Sequence, residues 1–140
     1  MDKREETMYE MESLLRNVFK QLRNEMNGIL GKEMSRNEFL VLKILKTEGP
    51  KKSNELAKEL DVSASHITAV TDSLVLKELI ERIRSEEDRR MIELHLTNTG
   101  KEKLLLTEKK KTEFLFKRFD NYSNQELREL LRLFKKMYLN

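Results

Sequence analysis

The chain has 140 residues, with 28 Lys and Arg against 25 Asp and Glu, a formal net charge of +3, one proline and neither cysteine nor tryptophan. That length suits one domain, and the absence of cysteine excludes a disulfide framework, a thiolate nucleophile or redox sensor, and a Cys-ligated zinc. Hydrophobic and charged residues each make up 38%, below and above the usual share respectively, which points to long solvent-exposed helices around a narrow core.

Apolar residues at Met8, Met11, Leu15, Val18, Phe19, Leu22, Met26, Ile29 and Leu30 recur every three or four positions. This spacing predicts a helix over 8–30, with Gly28 and Gly31 near its end. Ser35-Arg36-Asn37-Glu38 has the form of a capping box, so a second helix starts near Arg36, turns Phe39, Leu42 and Leu45 inward, and stops at Gly49-Pro50. Residues 53–60 read as a short helix with Ser53 as its cap and Leu56, Ala57 and Leu60 inward. Asp61-Val62 makes a tight break. Ser63 then caps a fourth helix that buries Ile67, Val70 and Leu74 and leaves Ser65, His66, Thr68, Ala69, Thr71 and Asp72 on its other faces.

After Lys77-Glu78 the period changes from helical to two. Residues 79–84 and 91–96 form a hairpin, and the polar tip Ser85-Glu86-Glu87-Asp88-Arg89-Arg90 lacks the Asn-Gly or Gly-Gly pair of a two-residue turn. Thr97 caps a helix running to about Phe119, with Leu104, Leu105, Phe114, Leu115 and Phe119 as its apolar set. Ser123-Asn124-Gln125-Glu126 is a second capping box and opens a last helix with Leu127, Leu130, Leu131, Phe134 and Met137 or Tyr138 inward. No internal repeat or long linker interrupts this order. No stretch approaches the roughly 18 apolar residues of a membrane span, and the amino terminus lacks an apolar signal region, so a cytoplasmic protein with no membrane partner is expected.

Two short helices separated by a tight turn, the second small and polar on its outer side, followed directly by a hairpin with a charged tip, have the layout of a winged helix-turn-helix. The residue types suit the task. Short Ser, Thr, His and Ala side chains let a helix enter a major groove about 12 Å wide, and arginine at a hairpin tip suits the negative potential of a narrow minor groove. The expected class is mainly α with a small β-hairpin wing, on double-stranded DNA.

The stretch Glu55-Leu56-Ala57, Val62-Ser63-Ala64-Ser65, Thr68, Leu74, Lys77, Leu79-Ile80-Glu81-Arg82, Asp88-Arg89-Arg90, Leu94-His95-Leu96-Thr97 and Gly100 resembles the DNA-binding domain of the MarR family of bacterial transcriptional regulators. The resemblance implies a winged helix-turn-helix whose N- and C-terminal helices form a dimerisation domain. The expected division is an N-terminal dimerisation helix over 1–34, the winged domain over 35–98 and C-terminal dimerisation helices over 99–140. It further implies a homodimeric repressor on a pseudo-palindromic operator, with recognition helices about 34 to 36 Å apart, released when a small-molecule effector enters the cleft between the dimerisation helices and the winged domain. Its recognition-helix positions are Ser63, Ser65, His66, Thr68, Ala69 and Thr71. In the wing, Asp88 would brace Arg90 for the minor groove, while Arg89 and Arg84 would meet phosphate or neighbouring carboxylates. Two departures stand out. Glu78 occupies the usual turn-glycine position, and no Arg or Lys lies between Ser63 and Leu76, which moves weight onto phosphate contacts, His66 and DNA shape.

Plainer readings stand beside these. His95, on the outer face of a strand, reads as a surface residue, and two His without Cys or a ligand spacing support no metal site. The Met stripe reads as packing and Lys109-Lys110-Lys111 as a solvated helix face. Ser35, Ser53, Thr97 and Ser123 read as caps, and without a phosphate loop, a nucleophile-base pair or an acid pair the chain is expected to be no enzyme and to need no cofactor. The competing reading from another class is a helical protein-interaction module with a degenerate winged domain.

Overall fold

The structure, a computed structural model, describes residues 1–31 and 33–138; Lys32 of the first expected segment and residues 139 and 140 of the third lie outside them. Its order is α1 (Lys3–Leu30), α2 (Arg36–Glu48), α3 (Ser53–Leu60), α4 (Ala64–Leu76), β1 (Ile80–Arg84), β2 (Ile92–Leu96), α5 (Asn98–Arg118) and α6 (Asn124–Tyr138). Local chemistry sets nearly every start. The Asp2 carboxylate accepts from the Glu5 N–H and opens α1. Ser35 and Glu38 exchange both bonds of a capping box at 3.1 Å, and Ser123 and Glu126 do the same before α6. Ser63 and Thr97 accept from the N–H groups of His66 and Gly100. Each such cap satisfies a donor that the helix leaves unpaired. At α3 the expectation fails: the cap is Lys52, and Ser53 is the first helical residue. The Glu55 carboxylate reaches back to accept from the Lys52 N–H at 2.9 Å, and the Glu55 N–H bonds the Lys52 carbonyl in place of a capping hydroxyl.

Helices α3 and α4 end in the same way. Val62 N–H bonds Ala57 O and Asp61 N–H bonds Lys58 O; likewise Leu79 N–H bonds Leu74 O and Glu78 N–H bonds Val75 O. This double closure needs a left-handed residue, supplied by Asp61 at φ 54° and by Glu78 at φ 63°. Glu78 therefore takes the backbone conformation of the glycine it replaces and carries the strain of a side chain there. The chain turns at that point into the antiparallel wing, in which Ile80 faces Leu96 and Arg82 faces Leu94. Lys51 bridges Leu94 in both directions and ties the root of the wing to the entry of α3.

The core is confined to one part of the chain. Its buried side chains run from Met34 to Leu104 and include Val41, Leu42, Leu56, Ile67, Leu74, Ile80 and Leu94. Neither α1 nor α6 contributes a buried residue. Several expected inward positions are thus corrected within the single chain: Leu105, Leu131, Phe134, Met137 and Tyr138 are exposed, as are Met8, Met11, Leu15 and Phe19. Their stripes are apolar, but the chain has nothing to lay over them. Gly100, in the first turn of α5, packs directly onto the Leu79 carbonyl, where a Cβ would lie 2.0 Å from the oxygen. Thr97 fixes this contact by bonding the carbonyls of both Glu78 and Leu79.

Candidate nucleic-acid interface

Helix α4 buries Ile67, Val70, Thr71 and Leu74 against the core and leaves Ser63, Ser65, His66, Thr68 and Ala69 exposed at its N-terminal end. Five of the six expected recognition positions therefore share an open surface. Thr71 does not. It is fully buried, and its hydroxyl donates to Ile67 O at 2.9 Å, so it belongs to the core and has no access to a ligand. The exposed hydroxyls are also partly engaged: Thr68 donates to Ala64 O at 2.8 Å, while Ser63 and Ser65 share a hydrogen at 3.2 Å. His66 is paired across helices, its Nε2 lying 2.9 Å from Asn37 Nδ2 on α2.

The wing loop is built around Asp88. Its carboxylate accepts from the Arg90 backbone N–H at 3.1 Å and from Arg90 Nε at 3.2 Å, the expected brace. These bonds hold the Asp88 carboxyl below the usual aspartate range, the backbone bond contributing most. The arginine keeps the rest of its guanidinium free, with a side chain 90% exposed. Arg84 donates to Arg89 O at 2.8 Å and so clamps the loop from the strand side, and Arg89 is exposed. Beneath them Ser85 is buried and supports the turn by bonding Met91 O through its N–H. His95 departs from the surface position expected of it: it is half-buried, its Nε2 has no hydrogen-bond partner among the described residues, and Glu93 lies 3.7 Å away.

Side-chain contacts that no sequence spacing announces join these parts to each other and to their neighbours. Arg82 on β1 pairs with Asp72 on α4 at the protein surface. On the other side, Glu38 of α2 accepts from Lys77 Nζ at 2.7 Å and from the Ser73 hydroxyl at 3.2 Å, both on the C-terminal end of α4. Burial pushes the Glu38 carboxyl up, but the bonds from Lys77, the Ser35 N–H and Ser73 together outweigh it and hold the group below the ordinary glutamate range. Lys77 also donates to Glu33 O, and the Glu33 carboxylate pairs with Lys103 on α5. The recognition helix is thereby tied to the segment between α1 and α2.

A cleft of about 420 Å³ lies between α1, α2 and α5, lined by Phe19, Leu22, Met26, Phe39 and Phe114 among others, with Arg23, Arg36 and Lys111 as its charged residues. Lys111 was expected on a solvated face. Instead its Nζ sits 4.1 Å from the centroid of the Phe39 ring, and burial, reinforced by Lys43 and Arg36 nearby, lowers the ammonium pKa. Arg118 of α5 pairs with Glu25 of α1 at 3.1 Å.

The MarR family model matches residues 34–92, the segment from the buried Met34 to the first residue of β2. Over 137 residues the chain is 59% identical to the uncharacterized HTH-type transcriptional regulator YpoP of Bacillus subtilis, spanning 98% of this chain and 97% of that one. The chain belongs to the MarR family. The HTH-type transcriptional repressor MdtR of B. subtilis is 32% identical to this MarR-family chain over 101 residues, 71% of it and 65% of MdtR. The crystal structure of the YusO protein from B. subtilis matches 99% of each chain with a TM-score of 0.86 at 24% identity, a likeness of fold. The mainly helical MarR architecture with its hairpin wing thus extends over the entire described chain.

Proposed function

We propose that this MarR-family chain, a non-enzymatic DNA-binding regulator of transcription, acts as a homodimer that occupies a pseudo-palindromic operator and represses from it. One observation carries the reading: the exposed end of α4 and the braced Arg90 stand on elements that share one core, Ile67, Val70 and Leu74 of α4 with Ile80 and Leu94 of the wing. Ser63, Ser65, His66, Thr68 and Ala69 are assigned to the major groove, Arg90 to the adjacent minor groove, Asp88 to holding Arg90, and Arg84 and Arg89 to the loop and nearby phosphates. The repressor role follows the relative MdtR, a repressor by name.

Dimerisation is supported by what the single chain leaves uncovered. The stripe through Met8, Met11, Leu15, Val18 and Phe19 on α1 and the face with Leu131, Phe134 and Met137 on α6 are exposed and apolar; surfaces of that kind mark association sites. A second copy, interlocking residues 1–34 and 99–140 with their equivalents, buries both and leaves the winged segments 35–98 free for two half-sites. The α1–α2–α5 cleft is the effector site in this reading. Its apolar walls and its cations, with no carboxylate among the lining residues, suit an anionic head on an apolar body. The test is Arg90→Ala: operator affinity falls by about 1–3 kcal/mol while sedimentation still reports a dimer. Unchanged affinity contradicts the wing assignment.

A further inference from the structure

The recognition helix lacks the arginines and lysines that most readily read guanine, and its hydroxyls are largely engaged within the chain. Thr68 gives its hydrogen to Ala64 O, Thr71 is buried, and Ser63 with Ser65 retains one free hydrogen between them. Beside that one hydroxyl hydrogen, the exposed group best able to read a base edge among the assigned positions is the His66 ring. A neutral imidazole has one donor nitrogen and one acceptor nitrogen, and a hydrogen bond at one decides the role of the other. Here Asn37 Nδ2, an amide donor, faces His66 Nε2 at 2.9 Å. With the amide turned this way Nε2 accepts, which places the ring proton on Nδ1. No hydrogen bond among the described residues engages Nδ1.

We propose that Asn37, outside the recognition helix, is a positioning residue for sequence reading: it fixes His66 as the Nδ1–H tautomer, so that the helix presents a donor to a major-groove acceptor, the O6 or N7 of guanine, the N7 of adenine or the O4 of thymine. This rests on the DNA-binding reading above. Position 37 suits the role because it lies in the first turn of α2, behind the Ser35–Glu38 capping box that holds that turn. The side chain is half-buried and therefore restrained, while the ring it bonds is exposed.

Two variants separate the role from mere packing. Asn37→Ala removes the donor. Asn37→Asp offers acceptors alone, places a carboxylate where a helix start favours one, and moves the ring proton to Nε2, so the free nitrogen becomes an acceptor. The first arm needs no DNA: two-bond 1H–15N correlations at pH 8.5, above the ordinary imidazole range, report which His66 nitrogen is protonated. Nδ1–H in the native protein and Nε2–H in Asn37→Asp are expected. The second arm measures binding to the chain's own upstream DNA and to a set with each half-site base replaced. Asn37→Ala and His66→Ala should each lower preference at one shared base pair by about three- to tenfold, the worth of a single net hydrogen bond, and the double variant should lose no more than either alone. At the same pH 8.5, Asn37→Asp should favour cytosine, whose N4 amino group is a donor, at that pair.

A native ring protonated on Nε2 overturns the proposal and leaves the DNA-binding reading intact. Additive losses, or a loss uniform over all sequences, overturn it as well. Nδ1–H in a protein with no preference for any DNA overturns the regulator reading and the task given to His66 with it.

Discussion

Replacing Gly100 by alanine should destabilise this protein more than any comparable change on its helices. An added methyl at position 100 would lie 2.0 Å from the Leu79 carbonyl oxygen, 2.7 Å from Leu96 Cδ1 and 3.0 Å from the Leu79 carbonyl carbon. Two of the three are backbone, so no flexible side chain can swing aside, and the start of α5 must retreat from the root of the wing by about 1 Å or more. Overpacking of this kind costs about 1–3 kcal/mol. The same retreat stretches the Thr97 bonds to Leu79 O at 3.1 Å and 3.0 Å, adding about 1 kcal/mol for each bond lost. Alanine recovers about 1 kcal/mol of helix propensity over glycine. The balance is a loss of about 2–4 kcal/mol. Urea unfolding followed by circular dichroism, at one fixed protein concentration because the proposed dimer would couple association to stability, measures it. A Gly100→Ala midpoint equal to or above that of the parent would refute the close approach of α5 to the wing root.

Glu78→Gly relieves a left-handed residue with a side chain and should stabilise the same unfolding transition by about 1 kcal/mol, strain relief exceeding the greater entropy of an unfolded glycine; a destabilised variant contradicts the strain. Glu38→Gln should cost about 1–3 kcal/mol at pH 7 and flatten the acid limb of the stability curve. The sign follows from the lowered folded pKa of Glu38: its contribution is present above the unfolded glutamate value of about 4.3 and is lost as pH falls through the lower folded value. Stability of parent and variant measured from pH 7 to pH 3 should therefore converge towards low pH, and parallel curves contradict the network. Asp88→Ala should weaken operator binding in the same direction as Arg90→Ala but less, because it frees Arg90 without removing it; anisotropy with both variants on one DNA decides the order.

What the chain declares locally, it declares clearly. The capping pairs at Ser35–Glu38 and Ser123–Glu126, the caps Ser63 and Thr97, the stop at Gly49-Pro50 and the period-two wing are all interactions within four residues or simple alternations, and each forms where its residues stand. The Asp88–Arg90 brace spans two residues, and the family resemblance pointed to it. Thr71 was not, since α4 packs on several neighbours at once and the core takes a wider arc of it than its aliphatic residues mark out. A threonine whose hydroxyl bonds the preceding turn enters that core at little cost. Lys111 is indistinguishable in sequence from Lys109 and Lys110; only the Phe39 ring beneath it sets it apart. The pairs Asn37–His66, Asp72–Arg82 and Glu38–Lys77 join residues 29, 10 and 39 positions apart with no periodicity to reveal them. The outer stripes of α1 and α6 were legible as apolar, but a single chain has no layer to cover them.

The most direct test of the account is fluorescence anisotropy of the purified protein on its own upstream DNA and on a scrambled duplex, titrated across salt. Binding through a braced wing and two recognition helices predicts a clear preference for the upstream DNA. It also predicts a steep loss of affinity with salt, log K falling by about 0.9 per log unit of salt for each phosphate neutralised. Weak, salt-insensitive binding that does not distinguish the two duplexes would contradict it, and would favour a winged domain that contacts protein in place of DNA.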